Sequence, residues 1–252
     1  MADPSTAVSI TREPGYVQVR LTRPETGNQL DSALVDGITS AVAAAEAAAR
    51  DEPIVIVAQG PAFCSGMPLD TGRLPADWAG HDLLPPWRLF ATLARCRVPT
   101  IAVVDGTVTA GGVGVAAACD LVACGDRARW RLTESVLGLV PAMVLPFLVR
   151  RVGQQRAFGW AMTAAEIGPG EAIATGLADL HAPTAADALR KVLVALRRLP
   201  VGTCAVLKSY RDEVFPLTDA LGARAGMVLT ERLSAPAVQC RLEQLREEGL
   251  LP

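Results

Sequence analysis

The run Thr100–Val104, TIAVV, passes directly into Asp105-Gly106-Thr107-Val108-Thr109-Ala110-Gly111-Gly112-Val113-Gly114. Five uncharged residues in a row suit a strand covered on both faces. Glycines that open a helix just past such a strand gather free backbone N–H groups and the positive end of the helix dipole at one point. Such a point could hold an enolate oxygen or a phosphate. Gly112-x-Gly114-x-x-Ala117 also satisfies the degenerate dinucleotide fingerprint. That fingerprint normally occupies the first βα turn of a fold, with an acid about 20 residues further on. Here it lies deep in the chain, and close helix–sheet packing accounts for any one of these glycines.

Working outward, the pattern repeats. Pro53–Ala58, PIVIVA, is a second apolar run, and Asp120–Ala123, DLVA, a third. Residues 7–21 alternate apolar and polar around Pro14-Gly15, as in a β-hairpin. Residues 31–50 place Leu34, Val35, Ile38, Val42 and Ala45 at helical spacing, with Asp31 as N-cap. A Gly- and Pro-rich loop is expected over 59–80 and a helix over 83–97. Strands alternating with helices imply βαβ units and an α/β fold. From about residue 143 the chain reads as helical, with segments at 184–199, 201–214, 217–233 and 236–248. No repeat of 20 to 50 residues is visible.

Three segments could carry chemistry. Pro61-Ala62-Phe63-Cys64-Ser65-Gly66-Met67-Pro68-Leu69-Asp70 follows a buried strand, and Gly66 would let the backbone turn and present an N–H outward. The Gly111 segment offers a second such donor. Glu134, among apolar neighbours, would have a raised pKa if buried, which suits acid–base work near neutral pH. His81 and His181 read as surface residues, and Cys64 as a buried thiol. Arg150-Arg151 and Arg197-Arg198 read as solvated pairs able to meet an acidic carrier protein.

Composition narrows the classes. The 252 residues carry 24 Lys plus Arg against 26 Asp plus Glu, so no basic stripe points to nucleic acid. The six cysteines form no C-x-x-C pair and there are two histidines, so no metal site is expected. Aromatics make up 4%, which predicts an aliphatic core. No apolar stretch reaches membrane-spanning length, and MADPSTAV lacks signal-peptide character, so a cytoplasmic protein is expected.

Together these segments resemble the crotonase (enoyl-CoA hydratase/isomerase) superfamily. The marks are Arg23-Pro24 with Asn28, Phe63-Cys64-Ser65-Gly66-Met67, Asp105-Gly106 with Ala110-Gly111-Gly112-Val113-Gly114, Cys119-Asp120-Leu121, and Glu134 with Leu137-Gly138-Leu139-Val140-Pro141. The resemblance implies a ββα superhelix core over 1–183, with a helical region over 184–252 serving assembly into trimers or pairs of trimers. Met227-Val228-Leu229 is a candidate contact strip, with the protein's own core as the alternative. The backbone N–H groups of Met67 and Gly111 would form the oxyanion hole, with Ser65, Gly66, Gly112 and Arg23 near the pantetheine arm of the substrate. No other cofactor is implied.

The segment 141–153, together with Leu189-Arg190-Lys191, Leu196-Arg197-Arg198-Leu199 and Lys208, is similar to one branch, the dehydratases of polyketide β-branching. These remove water from a 3-hydroxy-3-methylglutaryl group on an acyl carrier protein. Two departures stand out. Gly114 occupies the position of the second glutamate of ordinary hydratases. Pro68 replaces the Asp that commonly follows the Gly-Met pair; if that Asp has a catalytic part, either Asp70, two residues on, has taken it over or the chemistry differs. An isomerase or decarboxylase acting on coenzyme A thioesters, and a non-catalytic acyl-thioester binder, are the rival readings.

Overall fold

The computed structural model describes residues 7–48, 50–69 and 72–249. A six-stranded sheet has the order β1-β2-β3-β5-β7-β9, from β1 (Val8–Glu13), β2 (Tyr16–Leu21), β3 (Ile54–Ala58), β5 (Thr100–Val104), β7 (Leu121–Cys124) and β9 (Leu180–His181). Only the β1–β2 hairpin is antiparallel; the other pairings in this sheet are parallel. A second, three-stranded parallel sheet joins β4 (Ala62–Cys64), β6 (Thr107–Thr109) and β8 (Arg129–Arg131). Each turn of the chain lays one strand in the large sheet, one in the small sheet and then a helix. The helices are α2 (Pro85–Arg95), α3 (Gly111–Ala118) and α4 (Leu145–Val152).

This is the expected ββα superhelix. The repeat escapes the sequence because its turns differ in length: β3 to β5 spans the long 65–84 segment, whereas β5 to β7 has no such insertion. The small-sheet strands are three residues each, too short to show period-2 alternation.

The apolar runs behave as buried strands should. Ile54, Ile56, Ala102 and Val104 face the main core, whereas Val55, Ile101, Val103 and Ala123 face a second cluster on the other side. Helix α1 (Ser32–Ala47) starts where Asp31 accepts the Leu34 N–H at 2.9 Å. The core is not purely aliphatic. All four tryptophans are buried, and Phe147 makes edge contacts with Trp87 and Phe90, ring centroids 5.2 and 5.5 Å apart. Few aromatics are present, but most are spent inside, where each covers a large area.

After α5 (Gln154–Thr163) and α6 (Pro169–Thr175) come four carboxyl-terminal helices: α7 (Ala185–Leu196), α8 (Thr203–Val214), α9 (Asp219–Leu233) and α10 (Pro236–Glu247). They do not form a core of their own. Ala185, Ala188, Leu189 and Val192 complete the second cluster, and Ala225, Leu229, Leu233, Val238 and Leu242 join the main one. A division at residue 183 therefore does not separate two hydrophobic units. The 227–229 strip splits: Met227 is 60% exposed, while Leu229 is buried.

Arg150 and Arg151 are not a solvated pair. Both side chains are mostly buried. Arg151 donates to the carbonyls of Ala117, Cys119 and Asp120 at 3.2, 2.8 and 3.0 Å, closing the end of α3, and to Asp179 at 2.9 Å. Arg197 and Arg198 are exposed, as expected. Lys208 is buried on α8, 2.6 Å from Asp120, whose carboxylate also accepts from Thr100 and Arg211. The neighbouring carbonyls of Leu93 and Val98 take the remaining Lys208 protons.

Two substitutions test these arguments. A Cβ at Gly112 would stand 2.2 Å from the Cys64 carbonyl oxygen, so Gly112→Ala should cost about 3 kcal/mol and lower Tm by several degrees in a thermal melt. Lys208→Ala strips Asp120 of a buried partner and should cost about 3–5 kcal/mol, read from the urea midpoint.

Candidate active site

The Met67 and Gly111 amides arrive on two loops that leave neighbouring small-sheet strands, β4 and β6. The first loop turns at Gly66, φ +83°. It is fixed on each side: Leu30 N–H donates to the Gly66 carbonyl at 2.8 Å, Ser65 N–H to Gly27 at 3.0 Å, and Thr109 Oγ1 to the Ser65 carbonyl at 3.1 Å. The second loop turns at Ala110, φ +48° and ψ −122°, a conformation that glycine ordinarily supplies. Ala110 donates its N–H to Arg131 at 3.1 Å and accepts from Val113 at 2.9 Å.

The loops touch. A Cβ at Gly66 would lie 2.9 Å from the Gly111 nitrogen, and one at Gly111 would lie 3.8 Å from the Met67 nitrogen. Among the described residues, neither amide has an acceptor. Both residues line a cavity of ≈ 200 Å³.

Glu134 lines the same cavity. It begins a 3-10 turn, Glu134–Leu137, closed by Gly138 at φ +76°. Arg232 on α9 clamps that turn, donating twice to the Gly138 carbonyl at 2.9 and 2.7 Å. Glu134 is 9% exposed, and its Oε2 is buried with no partner among the described residues. Burial pushes its carboxyl up to about 7, against the opposing pull of the backbone N–H groups of Glu134 and Thr133. A carboxyl so placed is close to evenly divided between acid and base at neutral pH. Carbonyl polarisation by two free amides, with proton transfer by one carboxyl, is the chemistry this arrangement allows.

The other expected site residues divide. Ser65 lines the cavity, its hydroxyl donating to Thr26 at 3.3 Å. Gly66 shapes the first loop. Gly112 does not line the cavity; it lets α3 rest on the Cys64 carbonyl, and Gly114 is packed against Phe90, where a Cβ would stand 2.6 Å from the ring. Packing thus accounts for both glycines of the dinucleotide-like fingerprint. Arg23 is paired with Asp31, the α1 N-cap, and is not part of the cavity wall. Asp70 lies outside the described residues. Cys64 is fully buried with its thiol pushed up to about 12, which leaves it unreactive, and both histidines are on the surface.

Sequence reading missed Gln29 and Thr133, the other polar side chains on the wall, and the apolar contributions of Phe90, Met143 and Leu229. Gln29 had a signal. It follows Asn28, which is fully buried at φ +53° and donates to the carbonyls of Gln59 and Ala62 at 3.0 and 2.8 Å. A residue next to so constrained an asparagine is held in place.

The chain matches a family model for enoyl-CoA hydratase/isomerase over residues 11–230. It is 29% identical over 239 residues to the bacillaene synthase dehydratase PksH of Bacillus subtilis (strain 168), covering 91% of this chain and 90% of that protein. The crystal structure of the pksH protein from Bacillus subtilis superposes with a TM-score of 0.87 at 26% identity, over 98% of this chain and 99% of that one. Enoyl-CoA hydratase ACTT6 of Alternaria alternata is 35% identical over 160 residues, 64% of this chain. The chain spans about half the length of such Alternaria relatives, 53% in each case. On its sequence and on the arrangement of its two loops, the chain belongs to the enoyl-CoA hydratase/isomerase family.

Proposed function

We propose that this chain is a dehydratase that removes water from a β-hydroxyacyl thioester. The supporting observation is the buried Glu134 carboxyl, its Oε2 without a partner, in the same cavity as two amides that have no acceptor among the described residues. The Glu134 carboxylate takes the α-proton, and the electron pair moves to the thioester oxygen between the Met67 and Gly111 N–H groups. The enolate then collapses to a carbon–carbon double bond. Hydroxide leaves the β-carbon and takes back the proton from Glu134 as water. One such donor typically contributes about 3–4 kcal/mol to the transition state. The acid–base step contributes roughly 10²–10⁴-fold.

The similarity to PksH favours a polyketide setting, with a 3-hydroxy-3-methylglutaryl group on an acyl carrier protein as substrate and coenzyme A as the other possible carrier. The substrate brings its own pantetheine arm. We place the chain in a homotrimer or a pair of trimers. The apolar residues left exposed on α8, among them Val206, Leu207 and Tyr210, support this. No described helix is long and apolar enough to cross a membrane.

Incubation of the carrier-bound hydroxymethylglutaryl thioester should lower its mass by one water. Unchanged mass would indicate an isomerase or a mere binder, and loss of carbon dioxide a decarboxylase. Glu134→Gln should cut kcat by at least about 10²-fold. The wild-type kcat/KM should rise with pH through about 7 as Glu134 ionises. Sedimentation should give three or six times the chain mass of 26.4 kDa.

Stability responds in the opposite sense. The folded-state pKa of about 7 lies above the ordinary 4.5, so the folded chain holds this proton more tightly than the unfolded one. Glu134's contribution is complete below pH 4.5 and is lost as pH rises through 7. The loss is roughly 3 kcal/mol. Glu134→Gln lacks it, so the variant should gain on wild type by that amount between pH 4.5 and pH 8 in urea titrations.

A further inference from the structure

The turn that carries Glu134 opens on Thr133, and Thr133 lines the same cavity. Threonine at this place ordinarily caps the turn, its side-chain oxygen accepting a backbone N–H. Here it does not. Its backbone is helical, φ −97° and ψ −7°, where a capping residue is ordinarily extended, and its side chain makes no cap bond. Among the described residues the hydroxyl has no hydrogen-bond partner. It is nonetheless open to solvent, unlike the Ser135 hydroxyl next in sequence, which is closed off. The Glu134 carboxyl lies close by, because the N–H groups of Thr133 and of Glu134 both pull on it. The other polar side chains of the wall are placed differently. The Ser65 hydroxyl donates to the Thr26 carbonyl at 3.3 Å, and Gln29 precedes Leu30, whose N–H holds the Gly66 carbonyl on the side of the amides. Thr133 sets a free hydroxyl on the Glu134 side.

A β-hydroxyacyl thioester carries the proton to be lost and the oxygen to be lost on adjacent carbons. On the proposed reading, Glu134 takes the α-proton first. Meanwhile the β-hydroxyl stands in a mostly apolar enclosure, where leaving it unpaired is unfavourable. As the carbon–oxygen bond breaks, its electron pair moves onto that oxygen, and a hydrogen bond donated there strengthens with the charge. We infer that the Thr133 hydroxyl binds the β-oxygen and donates its hydrogen bond to it as the bond breaks. Thr133 keeps its own proton; the proton that turns the departing oxygen into water is the one Glu134 took from the α-carbon. The inference rests on the reading above for the identity of the substrate. It gives each reacting atom one polar partner: the amides for the thioester oxygen, Glu134 for the α-proton, Thr133 for the β-oxygen.

Binding in the slowed Glu134→Gln variant isolates the contact. It is titrated by calorimetry with 3-hydroxy-3-methylglutaryl-pantetheine and with 3-methylglutaryl-pantetheine, which differ only in the β-hydroxyl. Adding Thr133→Val or Thr133→Ala should weaken the hydroxylated compound relative to the other by about fivefold or more, whereas adding Thr133→Ser should hold the ratio within about twofold. A smaller shift with valine and alanine, or an equal one with serine, overturns the inference. In the otherwise wild-type chain, Thr133→Val should lower kcat for water loss at least about 10-fold and Thr133→Ser by no more than about threefold. A serine variant as slow as the valine one also overturns it. If the wild type removes no water but the binding ratio shifts as stated, the dehydratase reading fails and Thr133 stands as the partner of the β-hydroxyl. If water is lost and the ratio does not move, the reading stands and the inference fails. If neither compound binds, both fail.

Discussion

The site depends on the close approach of α3 to the small sheet. Gly112 sits so near the Cys64 carbonyl that no side chain fits between them, and Gly106 is pressed as closely on the Pro61 carbonyl, where a Cβ would stand 2.0 Å away. That approach brings the turns at Gly66 and Ala110 into contact and sets beside one cavity two amides that have no acceptor among the described residues. A helix spaced at ordinary side-chain distance would separate the loops by several ångströms. Two donors aimed at one oxygen must be held before the reaction begins, because reorienting them during it would consume the stabilisation they provide. The strained backbone at Ala110 fits this picture. It persists because hydrogen bonds to Arg131 and Val113 and the packing against Gly66 fix the turn on every side.

Enclosure is the second requirement, and the carboxyl-terminal helices supply it. Leu229 on α9 forms part of the cavity wall. Arg232 holds the turn that begins at Glu134, while Arg246 and Gln239 hold the carbonyls of Leu69 and Gly72. The same apolar lining has two consequences. It raises the carboxyl of Glu134 toward neutrality, and it strengthens the pull of the two amides on a developing oxyanion. These helices therefore shape the chemistry as well as any assembly. Their amphipathic pattern does not reveal which of their faces serve which purpose.

Much of this was legible from residue patterns, for physical reasons. Runs such as TIAVV and PIVIVA are apolar at every position because both faces are covered, so they identify themselves. Asp31 as an N-cap and the four terminal helices follow from equally local rules. The small sheet was invisible because three residues carry no periodicity. Arg150-Arg151 misled for a different reason. A charged pair reads as solvent-facing unless one knows that the end of α3 presents unpaired carbonyls there. The two glycine loops and Glu134 stood out locally as candidates, but the pairing of the Met67 and Gly111 amides came from family resemblance. What joins them is tertiary: three separate loops meeting at one cavity.

The replacement of a second acid by Gly114 can be argued from packing. A Cβ at this position would stand 2.6 Å from the Phe90 ring and 3.2 Å from a Val144 methyl. Phe90 in turn is held edge-on by Phe147. The space that a longer side chain would need is filled by a fixed aromatic cluster, so the position is closed to glutamate and not merely vacant. On the dehydratase reading proposed above, one carboxyl serves both proton transfers. The α-hydrogen and the β-hydroxyl must lie on the same face of the acyl chain, within reach of Glu134. A pKa near 7 suits a group that first accepts and then donates, because neither form is far from half-populated at neutral pH. Single-acid chemistry and an aromatic-backed glycine are thus two aspects of one packing arrangement, and opening Phe90 to admit a second acid would disturb the wall that tunes the first.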